Sequence, residues 1–129
     1  MNIIVLGAGA FGTAIANELS VNTENNAVLF SRNKEKVEEI NLHNTNQSCF
    51  PNKHLTKHLR ASFDKKEIQR ADVIFIALPS PIIIEYLKKL RPYFSKSVLL
   101  VNLSKGLLEN GVTIVDRVKI ELILRMLLH

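Results

Sequence analysis

Residues 1–17, Met-Asn-Ile-Ile-Val-Leu-Gly-Ala-Gly-Ala-Phe-Gly-Thr-Ala-Ile-Ala-Asn, constrain the fold more than any other stretch of the chain. An apolar run rich in Ile, Val and Leu leads straight into Gly7-x-Gly9-x-x-Gly12, and small and apolar residues then recur at helical spacing. The stretch therefore reads as strand, tight turn and helix.

Each glycine meets a different demand. Gly7 lets the chain turn sharply out of the strand, Gly9 has no side chain to keep a pyrophosphate from the backbone, and Gly12 lets the helix lie close to the strand. Such a helix begins with unpaired N–H groups and a partial positive charge, which suits an anion. The motif favours a dinucleotide. The alternative is a tight βα corner that binds nothing.

At 129 residues and 47% apolar content the chain is long enough for one domain with a real core, which argues against disorder. A net charge of +5 and a pI near 9.5 suit an anionic ligand such as a nucleotide or a phosphorylated metabolite. The lysines are scattered and no basic stripe is interleaved with aromatics, so nucleic acid is not the expected partner. Cys49 is the only cysteine, which leaves no internal disulfide or cysteine-rich metal site and fits a reducing cytosol. It reads as a small loop side chain. The apolar N-terminus, with Ala14-Ile-Ala16, resembles a secretion signal, but no positive charge precedes it and glycines interrupt it. No apolar run approaches the roughly 20 residues of a membrane span. The expectation is a cytoplasmic chain without a membrane partner.

Further along, residues 11 to about 20 should form the first helix, 22–26 a polar turn and 27–31 a second strand. The end of that strand is informative. In the NAD pattern an acidic residue about 20 positions past the glycines takes the ribose hydroxyls. Here the chain reads Ser31-Arg32-Asn33-Lys34, with no acid until Glu35. Arg32 at that place suits a 2′-phosphate and can stack on adenine, which leans the choice to NADP or to tolerance of both forms. The alternative is a solvated arginine at a strand end.

Asn33 is placed to cap a helix from 34 to about 41, with Val37 and Ile40 on one face. Residues 42–57, rich in Asn and containing Pro51, read as a loop long enough to be functional or mobile. His54 and His58 have the spacing of a helical metal pair but no third ligand in a recognisable register, so no metal is expected. Residues 60–63 are a candidate third strand, and Asp64-x-x-Glu67 has the spacing of a capping box for a short helix ending near Arg70. Residues 72–78 are a near-continuous apolar run of the kind found in parallel sheets covered on both faces. Ser80 and Pro81 then suit the cap and first residue of a helix that closes around Arg91 and Pro92. Residues 97–103 are a fifth strand, followed by Ser104-Lys105-Gly106 and a final apolar helix carrying Val112, Ile114, Val115 and Val118. This alternation describes an α/β fold, a Rossmann-type doubly wound parallel sheet whose ligand edge lies at the strand C-termini.

Gly-Ala-Gly-Ala-Phe-Gly-Thr-Ala at 7–14, Phe-Ser-Arg-Asn at 30–33, Ala-Asp-Val-Ile-Phe-Ile-Ala-Leu-Pro-Ser at 71–80 and Asn-Leu-Ser-Lys-Gly at 102–106 fall in one order and spacing. Together they resemble the bacterial NAD(P)-dependent glycerol-3-phosphate dehydrogenases over residues 1 to about 118. The resemblance implies interconversion of sn-glycerol 3-phosphate and dihydroxyacetone phosphate, feeding phospholipid synthesis. By position, Gly7, Gly9, Ala10, Phe11, Gly12 and Arg32 resemble cofactor-binding residues, with Phe11 touching the cofactor beside the glycines. Lys105 resembles a lysine that contacts both cofactor and substrate, where an ammonium can hold a phosphate or polarise a carbonyl.

In that family a helical C-terminal domain brings the principal catalytic lysine and most substrate ligands. This sequence ends at His129, and its last dozen residues become unusually apolar. The expectation is an incomplete NAD(P)-binding domain over 1–129, with no catalytic residue of its own and cofactor binding without appreciable turnover. An apolar sheet edge and final helix then imply a homo-oligomer. Two other readings stand beside this one: another NADP-dependent reductase, such as a ketopantoate reductase or hydroxyacid dehydrogenase relative, and a nucleotide-binding or regulatory module without chemistry.

Overall fold

The computed structural model describes residues 1–78 and 80–103. Ser104-Lys105-Gly106, the final helix and the C-terminal segment expected to drive self-association lie outside the described residues. Five strands, β1 (Asn2–Leu6), β2 (Asn26–Phe30), β3 (Arg60–Ser62), β4 (Val73–Ile76) and β5 (Leu99–Asn102), form one parallel sheet in the order β3-β2-β1-β4-β5. Four helices join them: α1 (Ala10–Val21), α2 (Lys34–His43), α3 (Lys65–Arg70) and α4 (Ser80–Leu90).

The strand sequences are apolar at every second position and also between, because both faces are covered. Ile3, Val5, Leu29, Val73 and Phe75 pack on one side with Ile15, Ala16 and Leu19 of α1 and Val37 and Ile40 of α2. Ile4, Leu6, Val28, Phe30, Ile74 and Ile76 pack on the other with Ile68 of α3 and Tyr86 and Leu90 of α4. The chain steps from β1 outward to β2 and β3, then returns across the sheet to β4 and β5. Parallel crossovers share one hand, so reversing direction moves the helices to the opposite face. The reversal falls between β1 and β4, where Leu6 is in register with Phe30 on one side and Ile76 on the other. That is the crevice where open sheets of this type take ligands.

Helix boundaries follow local chemistry. Asn33 caps α2 by accepting from the Lys36 N–H at 3.2 Å, as its position suggests. The helix runs past residue 41 to His43 and stops at Asn44, whose φ of 55° is left-handed and whose N–H returns to the Ile40 carbonyl. The capping box at α3 forms by half: Asp64 accepts from the Lys66 N–H, but the Asp64 N–H is taken by Ser62 Oγ and Glu67 pairs with Arg60 at 3.6 Å. Glu67 therefore ties the helix to β3 instead of closing the cap. Ser80 belongs to α4 itself rather than preceding it, and a 3-10 turn over Arg91–Tyr93 ends that helical stretch around Pro92.

Candidate functional site

The turn after β1 is built as its glycines require. Gly7 has φ of +110°, and a Cβ there would lie 2.5 Å from the Ala77 carbonyl oxygen. Its N–H continues the sheet ladder to the Phe30 carbonyl at 3.0 Å. At Gly12 a Cβ would overlap the Gly7 carbonyl oxygen and sit 3.3 Å from Ala77 Cβ, so α1 is pressed onto the turn by that missing side chain. Gly9 is different. Among the described residues, no atom beyond its chain neighbours lies within 4 Å of where its Cβ would be. Gly9 precedes α1, and no side chain caps the helix, which leaves its first N–H groups for an anion.

Beside this turn is a hollow of about 190 Å³. Gly7 and Ala8 line it from β1, residues 30–33 from the end of β2, and Leu78 and Tyr86 from the α4 side. It is smaller than pockets that enclose a whole drug-sized ligand, roughly 300 Å³ and upward, and suits one end of an extended molecule. Arg32 is exposed, and its guanidinium carbon lies over the Tyr86 ring at 4.6 Å from the centroid. Lys34 lies over the Phe63 ring at 5.3 Å, so two cations border the end of β2. Burial pushes the Tyr86 hydroxyl above its usual range, a shift that nearby Arg32 opposes.

The glycine turn is braced by Lys36 of α2 and by Asn46, which the sequence reading left in a loop. Asn46 is fully buried, and its amide donates to the Ala8 carbonyl at 3.2 Å and to Thr13 Oγ1 at 3.1 Å. Lys36 Nζ donates to the same Ala8 carbonyl at 3.0 Å and lies 3.7 Å from Cys49 Sγ. The segment is itself anchored, since Glu39 accepts from Thr45 Oγ1 and the Gln47 N–H, and Asn17 Oδ1 accepts from the Thr56 N–H at 2.7 Å. Those two donors, Thr45 first, hold the Glu39 carboxyl below its usual range against a small opposing effect of burial. The richness in Asn was the signal available, because short amides satisfy backbone groups where no ladder exists.

The structure brings Gly7 and Arg32 into one hollow, with Gly9 and Gly12 in the adjoining turn. Ala10 is exposed as the first residue of α1, and Phe11 is half-buried against the core. Ala8 is turned inward, 7% exposed, and does not fill the space at Gly9. Lys105 lies outside the described residues. No helix among the described residues is long and apolar enough to cross a membrane.

Residues 2–126 match the family model described as the NAD-dependent glycerol-3-phosphate dehydrogenase N-terminus. The chain is 32% identical over 118 residues to the glycerol-3-phosphate dehydrogenase [NAD(P)+] of Neorickettsia sennetsu, covering 92% of this chain and 35% of that one. It is 34% identical over 112 residues to that of Carboxydothermus hydrogenoformans, covering 86% and 33%. The crystal structure of glycerol-3-phosphate dehydrogenase from Coxiella burnetii superposes with a TM-score of 0.72 at 27% identity, over 90% of this chain and 35% of that one. The chain thus spans about a third of the length of the relatives it matches. With a Gly7–Gly12 turn open at Gly9 on a sheet that reverses beside it, and a family match along nearly its whole length, the chain belongs to the N-terminal family of the NAD-dependent glycerol-3-phosphate dehydrogenases.

Proposed function

We propose that this chain binds NADP or NAD across the C-terminal edge of its sheet, as the cofactor-binding part of a cytoplasmic sn-glycerol-3-phosphate dehydrogenase. The observation that carries the reading is the empty space at Gly9 beside the uncapped start of α1. A strained turn and a close helix make that space, and a Cβ at Gly9 would be the first atom to enter it. The backbone at Gly7, Gly9, Ala10, Phe11 and Gly12 would hold the pyrophosphate, and Arg32 the adenosine end. Phe11, the second residue of α1, would touch the cofactor beside the turn.

When bound, the nicotinamide supplies hydride transfer between glycerol 3-phosphate and dihydroxyacetone phosphate. This chain's residues position the dinucleotide and hold its charge; none is assigned the alcohol proton. Lys105 follows the end of β5 by three positions in sequence, and we assign its ammonium to the substrate and the cofactor together. A homo-oligomer belongs to the same reading. It is supported by β5, which ends the sheet among the described strands with Leu100 exposed. Light scattering that finds only monomer at high concentration speaks against it.

Calorimetric titration with NADPH and NADH, followed by glycerol 3-phosphate, tests the proposal. Saturable binding of a dinucleotide that glycerol 3-phosphate then perturbs is the expected result. Heat with neither dinucleotide would remove the reading. Tight NADPH binding indifferent to glycerol 3-phosphate would favour a nucleotide-binding module.

A further inference from the structure

We infer that Tyr86 is a determinant of cofactor preference, holding Arg32 where its guanidinium meets the ribose 2′-phosphate of NADP. The inference rests on the dinucleotide reading above and adds to it a residue from the far half of the sheet. An exposed arginine at a strand end samples many rotamers, and ordering it on a ligand costs side-chain freedom. Here that freedom is already restricted. The guanidinium lies over the Tyr86 ring at 4.6 Å, and the ring is itself fixed, 6% exposed in the core between α4 and the sheet.

The chemistry of the pair favours a phosphate. A guanidinium resting on a ring by one face keeps its N–H edges for a bidentate phosphate contact and its second face for a stacked base. Among the described residues Arg32 lies against no carboxylate that would compete. Among the described residues that line the hollow Arg32 and Tyr86 share, none is Asp or Glu, so none of them would take ribose hydroxyls as an NAD-type acid does. It begins at Gly7, which places it on the adenosine side of a pyrophosphate held at Gly9. NADP differs from NAD at that end by one phosphate. Tyr86 comes from α4, beyond the reversal in strand order, so this pairing is made by the tertiary fold.

Tyr86 acts through Arg32 and is therefore a positioning residue, and its test separates that role from core filling. Affinities for NADPH and NADH are measured by calorimetry on the unaltered chain and on Tyr86→Phe, Tyr86→Leu and Tyr86→Met, each checked by thermal melting. Phe keeps the ring and should keep the NADPH-to-NADH ratio; Leu and Met fill the core without a π face and should lower it by about three- to tenfold. Met serves if Leu does not fold. In an Arg32→Ala background the same Tyr86 substitutions should leave the ratio where Arg32→Ala put it. An unchanged ratio in Leu or Met, with Arg32→Ala lowering it, overturns this inference and leaves the dinucleotide reading standing. Binding of neither dinucleotide by the unaltered chain overturns both.

Discussion

The buried amide of Asn46 donates a 3.2 Å hydrogen bond to the carbonyl of Ala8, fastening the glycine turn to a segment that has no regular secondary structure. The same amide reaches Thr13 Oγ1 inside α1, so one side chain spans the turn and the helix it leads into. Removing it leaves Thr13 Oγ1 without that partner in a buried place and takes one donor from the Ala8 carbonyl, which keeps Lys36 Nζ. Asn46→Ala should destabilise the chain by about 1–3 kcal/mol in urea unfolding. Asn46→Asp should cost more, since a carboxylate would face the Ala8 oxygen and carry buried charge. Equal stability of the aspartate variant would show that the brace does not bear on the turn.

Gly12 and Gly9 separate folding from binding. A methyl at Gly12 overlaps the Gly7 carbonyl, and backbone there has little room to yield. Gly12→Ala should therefore lose about 2 kcal/mol or more of stability by overpacking. Gly9→Ala meets no atom of the described residues within 4 Å beyond its chain neighbours and should melt within a few degrees of the parent, yet lose most of its affinity for either dinucleotide. Full binding by Gly9→Ala would place the pyrophosphate elsewhere.

Arg32 is expected to discriminate between the two cofactors. Arg32→Ala should weaken NADPH by about 2 kcal/mol more than NADH if the phosphate contact is charge-assisted and shielded. Equal losses for both would remove the 2′-phosphate role. The contrast is read from paired calorimetric titrations.

Glu39 makes the brace sensitive to acid. Its carboxyl is held below the ordinary value of 4.5 by Thr45 and the Gln47 N–H, so the folded state binds the proton less readily than the unfolded chain. The contribution is therefore present above the ordinary carboxylate pKa and lost as pH falls through the folded value. Urea unfolding at about pH 7 and about pH 4 should show a stability loss that is smaller in Glu39→Gln. The same loss in both proteins would mean that these bonds do not depend on the charge. The group is only partly buried, and the expected difference is correspondingly modest.

The layered architecture and the kind of turn at its centre follow from the order of residues alone. The apolar runs at Ile3 to Leu6, Val28 to Phe30 and Val73 to Ile76 specify strands covered on both faces, since a strand with a wet face would alternate with polar residues. Gly7 and Gly12 specify the turn, because only glycine meets its positive φ and its close approach. Local chemistry also sets the Asn33 cap, while the Asp64 cap loses its return partner to Arg60, a residue on a different element. The tertiary structure alone decided which distant side chains complete the site. Periodicity tells which face of an element is buried, not what lies against it, so Tyr86 under Arg32 had no signature along the chain, and the richness in Asn around Asn46 did not name the turn as its partner. The Tyr86 pairing exists because a parallel sheet that reverses direction gathers its strand ends at one crevice, and the Asn46 pairing because the segment after α2 packs back against the glycine turn.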